Sequence, residues 1–342
     1  MASTFIVAEL SANHGHSLSI ALETVRAARA SGADAIKLQT YTPDTITLNC
    51  DNEYFRIQQG TIWDGETLYT LYQKAYTPWE WHKAIQREAE KEGLVFFSTP
   101  FDRSAVDFLS DLDVPMYKIA SFEINDIPLI TYAAAKGKPM ILSTGVATCG
   151  EIDEAVQACR KTGNNHITVL KCTSEYPAKP EDANLRTMVN FRETFGVDVG
   201  LSDHTEGFAV AVAAVALGAT MVEKHFILDR SIGGPDSSFS MEPKDFKMMT
   251  DSIRTVEKAL GRISYELPDS KKSSRHFMRS LFAVEDIQEG EVLSTMNVRS
   301  IRPGVGIPPK YLDRILGAKA RRTIQRGTPL SFSDLDIPGI QQ

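Results

Sequence analysis

The 342-residue sequence predicts an α/β protein: a closed (β/α)8 TIM barrel followed by a small β-rich domain. Three observations carry that prediction. Short apolar runs alternate with amphipathic helical patterns, as in successive βαβ units of a parallel sheet. Eight such runs fit within about the first 225 residues, the number and spacing that suit a closed barrel. Past residue 262 the alternation stops, and a polar stretch leads into a shorter segment with its own repeat. A doubly wound open sheet is the alternative arrangement for the first part.

In order, the candidate strands are "FIVAEL", "AIKLQT", "LVFFST", "PMYKIAS", "PMILST", "HITVLKCT", "VDVGLSDH" and "TMVEKH". Helical patterns separate them, among them "SIALETVRAARASG", "PWEWHKAIQREAEKEG" and "DRSAVDFLSDLD", and a helix near 243–260 follows the last strand. Every strand finishes in polar groups: Glu9, then Lys37 and Gln39, Thr99, Lys118, Ser143, Lys171 and Thr173, Ser202 and His204, and finally Glu223 and His225. Residues two apart on a strand share a face, so Ser202 points with His204 and Glu223 with His225. In a barrel these ends converge where substrate binds.

Residues 262–278, "RISYELPDSKKSSRHFM", read as a linker between a barrel over 1–261 and a second domain over 279–342. Fully extended, that linker spans up to roughly 55 Å at about 3.3 Å per residue, enough to reach a neighbouring subunit. The tail holds a quasi-repeat, "DIQEGEVLSTMNV" and "TIQRGTPLSFSDL", offset by 37 residues. Each half reads as a glycine turn between short strands, which predicts a compact, mostly β domain.

Composition excludes several partners. The net charge of −7, with no basic run, argues against nucleic acid, which needs clustered Lys and Arg. The longest uncharged apolar run, 208–222, is too short for a bilayer span of about 20 residues, so no membrane partner is expected. "MASTFIVAEL" has no signal-peptide character. Cys50, Cys149, Cys159 and Cys172 are widely spaced with no metal-ligand rhythm, as in reduced thiols of a cytoplasmic protein.

The strand ends suggest chemistry. His204 and His225, on adjacent strands, suit a divalent cation with open positions for water and substrate; alternatively they hydrogen-bond within a polar mouth. Lys37 and Lys118 with Thr99, Ser143 and Ser202 suit a small, multiply charged anion such as a phosphorylated carboxylate, or else the lysines pair structurally with Glu9, Glu123 or Glu223. A strand-end lysine also fits a Schiff-base aldolase, although nearby carboxylates would keep it protonated. Walker-type phosphate loops are absent. The insertion 52–82 carries Tyr54, Phe55, Trp63, Tyr69, Tyr72, Tyr76, Trp79 and Trp81 among polar residues. Such a segment suits a sugar, or packs on its own aromatics against the barrel. Arg302, before a Pro-Gly turn, is on spacing alone an ordinary surface arginine.

"AELSANHGHS", "IKLQTY", "FFSTPFD", "YKIASFE", "ILSTGVA", "KCTSEYP", "VGLSDHT", "VEKHF", "GGPDSSFS" and "IRPGVG" occur in that order. Over nearly its whole length the chain thereby resembles the sialic acid (nonulosonic acid) synthase family, and "QTYTPDTITLN", "IWDGETLYTLYQKAYTPWEWH" and "KCTSEYP" are most similar to its pseudaminic branch. The resemblance implies a (β/α)8 barrel with a C-terminal antifreeze-like (SAF) domain, in a domain-swapped homodimer. The implied reaction condenses phosphoenolpyruvate, an open-chain N-acetylated amino sugar and water into a nine-carbon 2-keto acid and phosphate. For the pseudaminic branch the sugar is 2,4-diacetamido-2,4,6-trideoxy-L-altrose; an N-acetylneuraminic or legionaminic synthase would share the chemistry. A pyruvate aldolase and a non-catalytic carbohydrate or ice binder are the rival classes.

Residue by residue, the resemblance makes His204 and His225 ligands of a divalent metal, most often Mn2+, with Mg2+ or Co2+ as alternatives. It assigns Lys37, Thr99, Lys118, Ser121, Ser143 and Ser202 to phosphoenolpyruvate, and Ser174 to a phosphate contact. Gln39, Glu123, Tyr176, Asp236 and, from the partner chain, Arg302 match sugar contacts. Glu9 and Glu223 match acidic groups at the reacting centre, and His225 is counted with them as catalytic. Family members commonly have Asn where this chain has Ser174 and Val305, differences that fit a different sugar.

Overall fold

Eight parallel strands pair in sequence order and close on themselves, β1 against β8. They are β1 (Phe5–Glu9), β2 (Ala35–Thr40), β3 (Val95–Pro100), β4 (Tyr117–Ile119), β5 (Met140–Ser143), β6 (Ile167–Cys172), β7 (Asp198–Asp203) and β8 (Met221–His225). The computed structural model describes residues 3–58 and 60–337, in two units, Met1–Gly261 and Arg262–Gln342. The strands belong to the first. Around them run α1 (Leu18–Ala30), α2 (Pro43–Ile46), α3 (Leu68–Ala75), α4 (Trp79–Glu92), α5 (Arg103–Asp111), α6 (Ile127–Ala134), α7 (Cys149–Lys161), α8 (Arg186–Phe195), α9 (Ala209–Ala216) and α10 (Pro243–Leu260). The closed parallel order excludes the open-sheet alternative.

Local chemistry places the helix ends. Ser17 caps α1, the Asp102 carboxylate accepts from the Ser104 and Ala105 amides at 3.0 Å to start α5, and Thr148 with Glu151 forms a capping box on α7. Gly93 ends α4 at φ 74°, a conformation that costs glycine little.

The two-residue period of the strands builds the barrel in layers. One face of each strand, including Ile36, Leu38, Ile119, Leu142, Val199 and Val222, packs outward against the helices in one large apolar core. The other face fills the interior, where Val7, Ala35, Phe97, Ile141, Leu170 and Met221 form a separate apolar plug. Two residues further along each strand the inward face turns polar, with Glu9, Lys37, Thr99, Ser143, Cys172, Ser202 and Glu223. Functional groups therefore rest on a solid apolar base.

The second unit has its own apolar core, including Leu281, Leu293, Val298, Ile307, Ile315 and Leu330. Its elements are α11 (Asp269–Lys272), α12 (Leu312–Ile315) and the antiparallel pairs β9 (Ser280–Ala283) with β10 (Val298–Ile301) and β11 (Lys319–Ala320) with β12 (Leu335–Asp336). The sequence repeat has a structural counterpart. Ile287 and Ile324, 37 residues apart, bridge one another through two backbone hydrogen bonds of 2.8 Å, and Gly290 and Gly327 turn the chain at φ 79° and 86°. Within the segment expected to be a linker, residues 262–268 have no regular structure, 269–277 are helical, and the His276 carbonyl accepts from Gly304 N–H at 2.9 Å.

Candidate active site

The polar layer is a network of two carboxylates and two ammonium groups at the C-terminal ends of β1, β2, β4 and β8. Lys37 Nζ lies 2.6 Å from Glu9 Oε2 and 3.8 Å from Glu223 Oε1, and donates to Thr99 Oγ1 at 3.2 Å. Lys118 Nζ reaches both Glu223 oxygens, at 3.0 and 3.3 Å. Ser202 Oγ donates to Glu223 Oε1 at 3.2 Å, and Gln39 bridges Glu9 and Ser11 at 3.1 and 2.9 Å. These charges are almost fully buried, so each depends on its partner. Against the effect of burial, Lys118 and Lys37 hold Glu223 down to about 2. Burial keeps Glu9 above the ordinary carboxylate range despite Lys37. Burial opposes the charge on Lys37, yet Glu223 and Glu9 hold its ammonium protonated above the usual value, which disfavours Schiff-base chemistry there.

Above this layer the imidazoles of His204 and His225 face each other with ring centroids 5.2 Å apart. His204 Nδ1 donates to the Thr173 carbonyl at 2.9 Å, which fixes the tautomer and frees Nε2. His225 Nδ1 is buried with no hydrogen-bond partner among the described residues, and Asp236 Oδ2 lies 3.8 Å away. Burial, then the neighbouring His204, keeps the His225 imidazole well below its ordinary pKa and so neutral. Burial acts the same way on His204, but the Cys172 sulfur, 3.8 Å from its Nδ1, and the Thr173 carbonyl outweigh it and raise its value. A tautomerically fixed imidazole, an orphaned imidazole nitrogen and a nearby carboxylate fit a divalent cation. Among the described residues no group of three or more His, Cys, Asp or Glu is placed to hold a metal ion, so the two imidazoles would need water or substrate as further ligands.

A cavity of about 640 Å³ opens beside the imidazoles. Its polar side includes Gln39, Thr61, Ser121, Glu123, Ser174, Tyr176, His225 and Asp236. Its apolar wall comes mostly from the stretch between β2 and α4: Tyr41, Ile46, Ile57, Trp63, Leu68, Leu71, Tyr72 and Ala75, with Phe101 after β3. Burial pushes the Glu123 carboxyl up to about 7, and its Oε2 has no hydrogen-bond partner among the described residues. Asp236 accepts from Ala12 N–H at 3.3 Å, and Trp63 Nε1 ties the wall to the Pro235 carbonyl at 3.1 Å.

The structure thus gathers the expected residues in two tiers. Glu9, Lys37, Thr99, Lys118, Ser202 and Glu223 form the floor, and Ser143 Oγ is buried near them on β5 with no hydrogen-bond partner among the described residues. Ser121 accepts from Gly145 N–H at 3.0 Å, and Ser174 lies 3.8 Å from Cys172 Sγ. The Tyr176 ring lies between His204 and Trp63, at 4.5 and 5.6 Å. Arg302 belongs to the second unit, where it is exposed. The ion pairs weighed for the two lysines are present with Glu9 and Glu223.

Three features escaped sequence reasoning. Cys172, rather than its neighbour Lys171, faces inward; counting by two from Leu170 would have found it. Phe239 packs against His225 and Tyr176, both at 5.0 Å, on a segment with no periodic signal. Of the insertion's aromatics, Trp63 and Tyr72 line the cavity while Tyr54 is exposed, Trp79 packs on Phe108 and Trp81 on His14, so only part of the set faces the cavity.

Comparison with known proteins places this geometry in a family. The NeuB family model matches residues 24–265 and the SAF domain model residues 278–336. The pseudaminic acid synthase of Helicobacter pylori is 50% identical over 332 residues, 97% of each chain. That of Campylobacter jejuni is 48% identical over 330 residues, 96% of each. Among solved structures, an N-acetylneuraminic acid synthetase from Leptospira borgpetersenii in complex with citrate superposes with a TM-score of 0.71 at 31% identity, covering 80% of this chain and 90% of that one. With the barrel matched across most of its length and half of all positions shared with a full-length relative, the chain belongs to the NeuB family.

Proposed function

We propose that the protein condenses phosphoenolpyruvate with 2,4-diacetamido-2,4,6-trideoxy-L-altrose and water, yielding a pseudaminic-type nonulosonic acid and phosphate. The observation that carries this reading is the half identity, end to end, with the Helicobacter pylori pseudaminic acid synthase. The site is chemically suited to it. Lys37 and Lys118 supply buried positive charge for a phosphate and carboxylate, with Thr99, Ser121, Ser143, Ser174 and Ser202 as hydroxyl partners. Glu123, Gln39, Asp236 and Tyr176 present polar groups to the sugar, against an apolar wall that suits its missing 6-hydroxyl. In this reading Arg302 adds a sugar contact from the partner chain of a homodimer.

His204 and His225 would hold a divalent metal, Mn2+ in the first instance. When bound it supplies Lewis acidity toward the sugar's C1 aldehyde. C3 of the enol attacks that carbon, and Glu9 and Glu223 stabilise the positive charge left at C2. Water then adds at C2, with Glu9, its basicity raised by burial, taking the proton. The C2–O bond to phosphate then breaks: the remaining water proton leaves with the phosphate as C2 becomes a ketone, the proton taken by Glu9 passes to the former aldehyde oxygen, and Lys37 and Lys118 keep the departing phosphate paired.

Phosphate release from phosphoenolpyruvate with a panel of N-acetylated hexosamines tests the assignment. The 2,4-diacetamido-6-deoxy sugar should turn over fastest; preference for N-acetylmannosamine would move the chain to the neuraminic branch. Excess chelator should abolish turnover and Mn2+ restore it. A borohydride-reduced pyruvate adduct on Lys37 or Lys118 would replace the scheme with an aldolase. Mixing Arg302→Ala with His204→Ala chains should recover activity if the arginine acts in trans.

A further inference from the structure

Strands β7 and β8 carry a second pair of charges that the scheme above does not use. Asp203 and Lys224 sit opposite each other in the parallel register, one residue before His204 and His225. Alternation turns them away from the interior, into the layer where Val199, Leu201 and Val222 meet the helices. Their side chains are 1% and 2% exposed. Lys224 Nζ contacts Asp203 Oδ2 at 2.7 Å and donates to the Thr205 carbonyl at 2.7 Å. The other carboxylate oxygen of Asp203 accepts from the Thr205 amide at 3.0 Å and its hydroxyl at 2.8 Å. His204 is therefore bracketed by two residues that are both tied to the residue preceding His225.

Stability does not require that this pair be charged. Ions in an apolar layer lose hydration, and apolar residues of similar volume commonly replace a buried pair without loss of stability. Position explains it better. The ladder of β7 with β8 ends at Asp203. Past it the His204 carbonyl accepts from Ala178 N–H at 3.0 Å on the opposite side, so among the described residues only the Asp203–Lys224–Thr205 contacts tie the two strands together on the side of His225. Metal–ligand distances tolerate only about 0.2 Å of error, and groups behind the ligands tune affinity.

We propose that Asp203 and Lys224 are positioning residues whose buried ion pair locks the last register of β7 against β8 and so sets the spacing of the two imidazoles for one divalent cation. This rests on the reading of His204 and His225 as the cation site. The test is calorimetric titration of the metal-stripped full chain with Mn2+ alone, beside urea unfolding of each protein. The unmodified chain should bind one Mn2+, and His204→Ala should not. The double variant Asp203→Leu/Lys224→Met also leaves the buried Thr205 amide, hydroxyl and carbonyl without these partners, so it should unfold at a lower midpoint, and in its folded form it should bind Mn2+ about 10–100-fold more weakly. Asp203→Glu, which keeps both charges but lengthens one arm, should show a smaller loss and serves if the double variant does not fold. Unchanged affinity in the folded double variant, or in Asp203→Glu in its place, overturns the positioning role while leaving the cation site standing. An unmodified chain that binds no Mn2+ overturns the cation site, and the positioning role falls with it.

Discussion

The floor of the site and the wall of the cavity above it are built in opposite ways. The floor is made of charges on neighbouring strands, each fixed by an ion pair or hydrogen bond to another strand: Glu9 to Lys37, Lys118 to Glu223, Ser202 to Glu223. The wall is made of apolar side chains on α2, α3 and the loops around them, held by a few links such as Trp63 to the Pro235 carbonyl and Trp79 to the Tyr41 carbonyl at 3.1 Å. A floor of mutually dependent charges tolerates no substitution, because removing one ion strands its partner. A wall of separate apolar contacts can change one residue at a time, each by a modest amount. In the proposed scheme the floor would hold the phosphoenolpyruvate common to related condensations, and the wall would choose the sugar.

The sharpest way to break this comparison is Lys118→Met, which leaves the buried Glu223 with the Ser202 hydroxyl and, as its remaining cation, the more distant Lys37 at 3.8 Å. It should lower stability by about 3–5 kcal/mol in urea unfolding and remove turnover. Retained stability would mean the floor is less interdependent than its geometry. Next in size, a 6-hydroxylated analogue of the sugar should be disfavoured in kcat/KM by up to about 100-fold, since an apolar wall rejects an added hydroxyl only moderately. Tyr72→Ala should raise KM for the sugar by about tenfold with KM for phosphoenolpyruvate unchanged. Equal changes in both constants would merge floor and wall into one compartment.

The smallest effect concerns Glu123, a polar group facing the cavity. Its carboxyl titrates near 7 in the fold against 4.5 as an unperturbed glutamate, because burial disfavours its charge. The folded value is the higher one, so its contribution to stability is complete below pH 4.5 and is lost as pH rises through 7. Relative to the unmodified chain, Glu123→Gln should therefore gain thermal stability between pH 4.5 and 7 and show no further gain above it. A flat difference across that range would mean that the carboxyl titrates normally.

Legibility in the sequence follows the same division. The floor could be read because a strand's period of two fixes which residues point together, and eight strands ending in one layer bring those residues into contact. Glu9, Lys37, Lys118, Ser202 and Glu223 all follow from that period. On β6 the wrong face is expected: Lys171 and Thr173 stand as the polar tip in the sequence, whereas Leu170 and hence Cys172 face inward. The wall resisted such reading, since the insertion has no sustained period and its aromatics divide between cavity, surface and packing. The repeat after residue 279 signalled a β-rich unit, but its Ile287–Ile324 bridge required the fold.

By itself the sequence determined the eight-fold strand and helix alternation, the polar strand tips and the two histidines, because each is a local pattern imposed by backbone geometry. Only the tertiary structure decided which ammonium meets which carboxylate, which aromatics face the cavity, and that Asp203 and Lys224 are joined behind the imidazoles. Those outcomes depend on contacts between residues far apart in the chain, whose energies arise only once burial has removed water from around the charges.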